Sequence, residues 1–341
     1  MQKLFITGGA GFIGSAFVRL ILEADTGCEM TNFDALTYAG NPDNLAGLDE
    51  RRHRFVRGDI ADREAVRAAL TEGTEAVINF AAESHVDRSI ASAEEFVRTN
   101  VLGTQVLLDV ARERGVRRFV HISTDEVMGA LPDDERAFFT EDSPFAPNSP
   151  YAASKAAAEH FVRAAHHTFG LDTVITRCGN NYGPRQFPEK FIPLILSNAL
   201  HNEPIPIYGD GRYTRDWIYV EDHCRAIWQA LKKGRAGAVY NIGARNERRN
   251  LEVVEAILRA LGKPTSLIRF VKDRPGHDRR YAIDPAKVET ELDWRPQETW
   301  ESGLEKTIRW YSENGEWIRR VRDGAYREFY ARQYGEEVSA P

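Results

Sequence analysis

The 341-residue sequence has only three cysteines, no long apolar run and no excess of basic residues. Cys28, Cys178 and Cys224 lie far apart, so they fit neither a disulfide framework nor the spacing of metal ligands, and they favour a reducing compartment. No stretch approaches the roughly 20 apolar residues that a membrane span requires. The net charge of −6 disfavours general binding to nucleic acid. We therefore expect a cytoplasmic protein without metal, membrane or nucleic-acid partners.

The first half of the sequence alternates short apolar runs with segments of helical periodicity. Strands are predicted at residues 3–7, 55–58, 76–80, 119–123 and 173–177. Helices are predicted at residues 12–24, 62–70, 94–114 and 151–169. Strands that alternate with helices indicate a parallel sheet covered on both faces, with ligands beyond the carboxyl ends of its strands.

The second half of the sequence is less regular. Prolines cluster between residues 184 and 206, and later helices are predicted at 221–233, 251–261 and 302–314. We therefore expect an α/β protein with two units. A doubly wound parallel sheet occupies residues 1–178, and a smaller substrate-binding lobe occupies residues 179–341, with segments that return to the sheet.

Four glycines lie in the segment that leads from the first predicted strand into the first predicted helix. Gly9, Gly11 and Gly14 have the GxGxxG spacing, and Gly8, Gly11 and Gly14 have the GxxGxxG spacing. Glycine permits the tight turn and the close approach of the backbone to a pyrophosphate, while the helix N-terminus supplies positive potential. In this context the turn predicts a Rossmann-like dinucleotide site.

Asp34 follows about 20 residues after this turn, where an acidic side chain binds the hydroxyls of the adenosine ribose. Its carboxylate would repel a 2′-phosphate, so it favours NAD over NADP. The alternative is a solvated aspartate that binds no ligand. Asp59 and Ile60 follow a later predicted strand and could contact the adenine.

Tyr151 and Lys155 form a Tyr-x-x-x-Lys pair at the start of a predicted helix. Asn148 or Ser149 is expected to cap this helix, and Pro150 suits its first turn. Residues four apart share a helix face, so we expect the Lys155 ammonium beside the phenol, where it would lower the pKa of Tyr151 from about 10. Such a tyrosine could act as a base near neutral pH. By itself, the pair also fits an ordinary surface helix.

Thr124, Asp125 and Glu126 follow the strand that precedes this helix. Thr124 can donate a hydrogen bond to the oxygen that Tyr151 deprotonates. A dehydration needs one group that takes a proton from carbon and another that protonates the departing hydroxyl, and two adjacent carboxyls in different environments can divide these roles. The alternative is a helix-capping aspartate followed by a solvated glutamate.

Together these residues resemble the extended branch of the short-chain dehydrogenase/reductase superfamily and, more narrowly, the dTDP-glucose 4,6-dehydratase family. The resemblance covers nearly the whole chain. The glycine turn and the Tyr-x-x-x-Lys pair mark the superfamily, whereas residues 124–126 and 273–278 are specific to sugar-nucleotide dehydratases. The matching segments, which include these two, lie at residues 37–41, 81–89, 123–127, 180–184, 187–190, 215–217 and 273–281.

The resemblance implies NAD as cofactor and a role for each matching residue. Tyr151 would be the base for the C4 hydroxyl, supported by Thr124 and Lys155, while Asp125 would protonate the leaving C6 hydroxyl and Glu126 would take the C5 proton. The implied cofactor contacts are Gly8, Gly11, Phe12, Ile13, Gly14, Asp34, Ala35, Leu36, Thr37, Asp59, Ile60, Ala81, Ala82, Ser84, Thr99, Tyr151, Lys155 and Asn181. The implied contacts with the nucleotide sugar are His85, Thr124, Asn180, Glu189, Lys190, Pro206, Ile207, Tyr208, Arg215, Asn250, Asp273, Arg274 and His277.

The activity that the resemblance implies is conversion of dTDP-glucose to dTDP-4-keto-6-deoxyglucose and water. A sugar-nucleotide 4-epimerase, a UDP-glucuronate decarboxylase, a UDP-sugar 4,6-dehydratase and a non-catalytic NAD-sensing protein are the alternatives. The sequence departs from the family at Met128, where tyrosine is usual, and at Gly179, where serine is usual; Met128 could reshape the sugar pocket. The family pairs its subunits through two helices each, so we expect a homodimer formed by residues 94–114 and 151–169.

Overall fold

A computed structural model describes residues 2–132, 136–322 and 333–334. Its strands are β1 (Gln2–Thr7), β2 (Cys28–Asp34), β3 (His53–Arg57), β4 (Ala76–Asn79), β5 (Arg118–Thr124), β6 (Asp172–Cys178), β7 (Asn180–Tyr182), β8 (Ile205–Tyr208), β9 (Thr214–Tyr219), β10 (Val239–Ile242), β11 (Glu247–Arg249) and β12 (Ile268–Val271).

The helices are α1 (Phe12–Ala24), α2 (Arg63–Ala69), α3 (Val86–Ala91), α4 (Glu94–Phe96), α5 (Thr104–Glu113), α6 (Pro150–Phe169), α7 (Phe191–His201), α8 (Val220–Lys233), α9 (Asn250–Leu261), α10 (Ala286–Leu292), α11 (Trp300–Glu313) and α12 (Gly315–Val321). A π-helical segment, Val97–Gly103, joins α4 to α5. Short 3-10 turns occupy Pro42–Leu45, Asp125–Met128 and Thr265–Leu267. No helix in the described parts of the chain is both long enough and apolar enough to cross a membrane.

Seven strands form one parallel sheet in the order β10-β6-β5-β4-β1-β2-β3. The chain winds outward in one direction from β1 to β3 and in the other from β4 to β10. The carboxyl ends of β1 and β4 therefore flank the crevice where ligands bind in such sheets. This doubly wound α/β architecture confirms the predicted fold class. One of its two edge strands, β10, comes from the second half of the chain.

Helices cover both faces of this sheet with apolar side chains. On one face, α1 packs against α8, and the buried residues include Phe17 and Ile21 from α1 and Ile227 from α8. Phe17, Val18, Ile21 and Leu22 lie on one side of α1 because their spacing matches the helical period. The opposite face is covered by α2, α5 and α6. The sheet is thus packed on both of its faces.

A second apolar core holds the smaller lobe together. It joins β8 and β9 to helices α7, α9 and α11, and it includes Ile195, Trp217, Ile257 and Leu304. In this lobe β9 lies between β7 and β11, while β8 pairs with β12. The lobe places the loops that follow β8 and β12 opposite the carboxyl end of the main sheet.

Candidate active site

The glycine turn between β1 and α1 has space for backbone only. Gly8 has φ +69°, and a Cβ there would lie 2.6 Å from the backbone nitrogen of Ala81. A Cβ at Gly14 would lie 2.3 Å from the carbonyl oxygen of Gly8. These contacts explain why glycine is needed at both positions. They leave the N-terminus of α1, capped by Gly11, without a side chain between it and the crevice.

Asp34, the last residue of β2, closes the far end of the crevice. Its Oδ2 accepts the Ala10 N–H at 2.9 Å, and its Oδ1 accepts the Leu36 N–H at 2.8 Å. Burial raises the pKa of Asp34, while these two N–H groups oppose the rise. The carboxyl group is therefore fixed in orientation and retains lone pairs for the hydroxyls of a ligand.

The crevice between the two halves of the chain brings most of the predicted residues together. Those that line it are Gly8, Gly11, Phe12, Ile13, Gly14, Asp34, Ala35, Thr37, Asp59, Ile60, Ala81, Ala82, Ser84, Thr99, Thr124, Glu126, Tyr151, Lys155, Asn180, Asn181, Glu189 and Lys190. Leu36 does not line the crevice, although its N–H holds Asp34. Asp59 also binds Arg98, with Oδ2 2.6 Å from the guanidinium.

The two predicted carboxyls occupy different environments at the end of β5. Asp125 is 2% exposed, its Oδ1 lies 3.3 Å from the Thr124 hydroxyl, and its Oδ2 has no hydrogen-bond partner among the described residues. Burial and the neighbouring Glu126 raise the pKa of Asp125 well above its usual value. Burial also raises the pKa of Glu126, but Arg274 and Lys190 oppose that rise. The environment thus favours a neutral acid at Asp125 and an ionisable carboxyl at Glu126.

The predicted effect of Lys155 on the pKa of Tyr151 is wrong. Lys155 donates a hydrogen bond from Nζ to the carbonyl oxygen of Ile122 at 2.6 Å, and burial lowers its pKa to about 8. Burial, followed by the charge of Glu126, raises the pKa of Tyr151 well above 10, and a hydrogen bond with Thr124 only opposes this. The sequence reasoning considered the neighbouring charge but not the desolvation of both side chains. Tyr151 is therefore a neutral phenol here.

Helix α6, which carries both residues, is fixed at its start and along its side. Of the two predicted caps, Ser149 is the one used, because its hydroxyl accepts the Ala152 N–H at 3.1 Å. The side chain of Asn100 binds both backbone groups of Glu83 at 2.9 Å and donates to the Ser154 hydroxyl at 2.8 Å. Sequence reasoning missed Asn100, which lies in the π-helical segment. It connects the loop after β4 to the helix of Tyr151.

The predicted nucleotide-binding residues form a second cluster around an aspartate that sequence reasoning missed. Asp87 accepts hydrogen bonds at 3.0 Å from both Arg274 and Tyr208, one on each carboxylate oxygen. The hydroxyl of Tyr208 also contacts Tyr334 and Gln333. Asp87 lies within the matching segment 81–89, which was the one available signal. It orients a guanidinium and a phenol at the edge of the crevice.

His277 lies in the same cluster as a neutral, stacked ring. Its ring centroid is 3.7 Å from that of Tyr213, and Asp273 accepts hydrogen bonds from the Tyr213 hydroxyl and the His277 Nδ1. Burial, with Arg274 nearby, lowers the pKa of His277 to about 3. The positive charges in this region therefore come from the arginines.

The other predicted substrate residues are buried, and they differ in their contacts. Arg215 is 5% exposed, donates to the Asp278 carbonyl at 2.9 Å and packs over the Tyr281 ring. His85 is buried, with its Nε2 3.7 Å from Glu189. Ile207 is fully buried in the second core, so its side chain cannot contact a ligand. Pro206 and Asn250 are also buried, Asn250 as the first residue of α9.

The two departures from the family pattern have simple structural explanations. Met128 is 3% exposed and packs with Val127 and Phe139, and its sulfur lies 3.6 Å from the Arg177 guanidinium. It does not line the crevice. A Cβ at Gly179 would lie 2.8 Å from the Asp216 carbonyl oxygen. Glycine therefore allows this close approach of two backbones.

Comparison with known proteins agrees with this geometry. Residues 5–307 match the family model described as GDP-mannose 4,6 dehydratase. The chain is 52% identical to the dTDP-glucose 4,6-dehydratase of Xanthomonas campestris pv. campestris (strain B100), with 96% of this chain and 98% of that protein covered. The chain belongs to the dTDP-glucose 4,6-dehydratase family.

Solved structures of the dTDP-glucose 4,6-dehydratase family and of related enzymes share the fold. DesIV, the dTDP-glucose 4,6-dehydratase from Streptomyces venezuelae solved with NAD and TYD bound, is 50% identical, with a TM-score of 0.91 over 94% of this chain and all of DesIV. The UDP-glucose 4-epimerase of Thermotoga maritima is 29% identical, with a TM-score of 0.84 over 92% of this chain and 99% of that one. The fold alone therefore does not separate dehydratase from epimerase, and the site must.

Proposed function

We propose that this protein is an NAD-dependent dTDP-glucose 4,6-dehydratase that converts dTDP-glucose to dTDP-4-keto-6-deoxyglucose and water. The observation that carries the proposal is the pair of carboxyls, Asp125 and Glu126, beside Tyr151 at the carboxyl end of β5. Oxidation at C4 alone requires neither carboxyl, whereas elimination of water requires both a base and an acid.

The crevice suits NAD in shape and in charge. A side chain at Gly8 or Gly14 would collide with the backbone, so the turn is shaped for the close approach of a pyrophosphate. The fixed carboxyl of Asp34 suits two ribose hydroxyls and would repel a 2′-phosphate. Relatives solved with NAD bound support the same assignment. When bound, NAD⁺ supplies the hydride acceptor for the first step and the donor for the last.

The residues of this chain would divide the proton transfers among them. Tyr151 would take the proton of the C4 hydroxyl as C4 becomes a ketone, once the phenol has lost its own proton, which the hydrogen bond with Thr124 and the ammonium of Lys155 would favour. The ketone acidifies the C5–H bond, and Glu126 accepts that proton. Asp125, neutral because it is buried, protonates the C6 hydroxyl, which leaves as water. Glu126 then returns its proton to C5 as a hydride reaches C6, and the product is the 4-keto-6-deoxy sugar.

The second cluster would hold the nucleotide diphosphate while these steps proceed. Arg215, Arg274 and Lys190 are close enough to Glu126 to influence its pKa, so they reach the same space as the sugar. Guanidinium groups suit phosphates because the planar fork of N–H donors can bind two phosphate oxygens at once. Tyr208 offers an aromatic face to the base. Binding at the diphosphate and base would leave the sugar free to react at C4, C5 and C6.

Turnover with labelled dTDP-glucose tests the proposal directly. Substrate carrying deuterium at C4 should give a product that has lost one water and carries deuterium at C6, without net consumption of added NAD⁺. UDP-glucose, run in parallel, should react more slowly. A variant with Asp125→Asn and Glu126→Gln keeps the crevice but lacks both carboxyls, and it should not release water. Return of deuterium to C4 would identify a 4-epimerase instead, and no turnover with either nucleotide sugar would favour a binding protein.

We further infer that two chains associate through the π-helical segment, α5 and α6. Val97, Leu102, Phe161 and Phe169 on these elements are 41–56% exposed, and so many large apolar side chains on one pair of helices fit a subunit interface. A homodimer in the cytoplasm, where its three buried thiols stay reduced, is the expected form. Light scattering should give twice the chain mass, and Phe161→Glu should shift it to one chain.

A further inference from the structure

A hydrogen bond joins two distant segments of the chain that both contribute residues to the crevice. The Tyr38 hydroxyl donates to Oε1 of Glu189 at 2.8 Å, although 151 residues separate the two in sequence. Tyr38 follows the ribose acid Asp34 in the loop after β2. Glu189 lies in the loop before α7, where its neighbour Lys190 donates to the carbonyl oxygen of Ser84 at 2.6 Å. The proposed mechanism gives Tyr38 no role.

The surroundings of this hydrogen bond hold both partners in place. The Arg88 guanidinium lies 3.9 Å from the centre of the Tyr38 ring, and its Nε is 3.7 Å from Oε2 of Glu189. The ring of Phe187 meets the Tyr38 ring edge-on, with 5.8 Å between their centres. The Glu189 side chain is only 1% exposed. A buried bond between a phenol and a carboxyl group, supported by a cation and an aromatic ring, is a built contact rather than a chance surface encounter.

The bond connects opposite walls of the crevice. Thr37 and Gly40, on either side of Tyr38, line one wall, and Phe187 and Glu189 line the other. For these walls to separate, the hydrogen bond must break and the Tyr38 ring must leave Arg88 and Phe187. A dinucleotide between the walls would be released only after that opening.

We propose that the Tyr38–Glu189 hydrogen bond is a clasp that retains the cofactor through the catalytic cycle, with Tyr38 as a positioning residue that acts through Glu189. This rests on the proposed function, because a hydride taken from C4 must return to C6 of the same molecule. A cofactor that leaves between these steps carries the hydride away and strands an unsaturated ketone. The clasp makes its departure slower than the elimination of water.

Tyr38→Phe tests the clasp because it removes the hydroxyl and keeps the ring against Arg88 and Phe187. Purified holoenzyme is mixed with excess isotopically labelled NAD⁺, and the exchange rate of bound cofactor is followed by rapid filtration. Loss of one hydrogen bond to a buried carboxyl group should speed release by ~10-fold. During turnover of dTDP-glucose, the variant should also release NADH into solution, where the wild-type protein should release almost none.

Tyr240→Phe is the matched control. The Tyr240 hydroxyl also lies 3.0 Å from a glutamate oxygen, that of Glu291, but on β10, away from the crevice. This variant should exchange NAD⁺ at the wild-type rate. Adding Tyr38→Phe to Glu189→Ala should change release by less than about twofold, because the acceptor is already absent.

Release of NAD⁺ from Tyr38→Phe at the wild-type rate would overturn the proposal. An equal increase of the release rate in Tyr240→Phe would overturn it as well. If Tyr38→Phe misfolded, release at the wild-type rate from a Glu189→Ala protein shown by circular dichroism to be folded would overturn it. If both single variants fold, a large further effect of Tyr38→Phe in the Glu189→Ala protein would overturn it too. The exchange assay needs no dehydratase activity. It therefore remains valid if the labelled-substrate experiment identifies another reaction, so the two proposals fail separately.

Discussion

Replacing Glu189 with glutamine should make the cofactor-free protein more stable at high pH relative to wild type. Burial raises the pKa of Glu189 from 4.5 to about 7, against the opposing effects of Lys190, the Tyr38 hydrogen bond and Arg88. An acid with a raised pKa binds its proton more tightly in the folded state than in the unfolded chain. Its contribution to stability is therefore complete below about pH 4.5 and is lost as the pH rises through 7.

The size of the effect follows from that shift. At about 1.4 kcal/mol per pKa unit, a shift of this size removes roughly 2–3 kcal/mol of wild-type stability between pH 5 and pH 8. Glutamine resembles the neutral acid and should lose none of it. Urea unfolding of both proteins at pH 5 and pH 8, followed by circular dichroism, measures the difference. The exposed Glu72→Gln provides the control. A stability difference between Glu189→Gln and wild type that is the same at both pH values would refute the reasoning.

Three further predictions concern the reaction and the crevice. The Glu126→Gln variant should oxidise C4 but stall before the C5 proton leaves. Enzyme-bound NADH should therefore accumulate, measured by its absorption at about 340 nm, while turnover falls by ~10²–10⁴-fold. Turnover at the wild-type rate would contradict the role of Glu126 as base. Cofactor-free protein should regain activity with NAD⁺ and far less with NADP⁺, and equal rescue would contradict the role of Asp34. Gly14→Val should abolish NAD⁺ binding in a calorimetric titration, because its Cβ would overlap the Gly8 carbonyl; unchanged affinity would contradict the tight turn.

Much of the first half was predictable because its local signals agree with one another, although β2 lies outside every predicted strand. The periodic apolar residues of 12–24 become α1 with the same bounds, and Ser149 and Pro150 begin α6 where capping chemistry places its start. The glycine turn and Asp34 occupy the crevice because strand order fixes where the carboxyl ends meet. Such features depend on residues near each other in sequence, which is the information that a sequence displays.

The second half was harder because its prolines were interpreted only as signs of irregularity. Helix α7 begins at Phe191 and includes Pro193, whose missing N–H falls in the first turn, where helical N–H groups have no partner within the helix. Pro206 lies in β8, which among the described strands pairs with β12 alone and so tolerates a missing donor. In both cases the position within the element, rather than the presence of proline, decides the structure.

The parts of the site that could not be predicted arise from burial and from distant contacts. Asp87, Asn100 and Tyr38 act on residues 54 to 187 positions away, and no local pattern reveals those partners. The pKa of Tyr151 depends on the loss of water around the phenol, which a spacing of four residues does not report.

Desolvation also explains how one small region can serve three proton transfers. The same burial that favours a protonated Asp125 also favours a protonated Glu126, which could not accept the C5 proton. The positive charges of Arg274, Lys190 and Arg215 oppose this and favour the carboxylate of Glu126. Those three side chains are also the ones expected to meet the diphosphate of the substrate. Binding of the diphosphate would offset part of their charge and raise the proton affinity of Glu126 at the moment when the sugar arrives. The groups that hold the substrate are therefore coupled to the base that acts on it. The acid next to that base also feels the charge of Arg215, but burial and Glu126 keep the pKa of Asp125 well above its usual value.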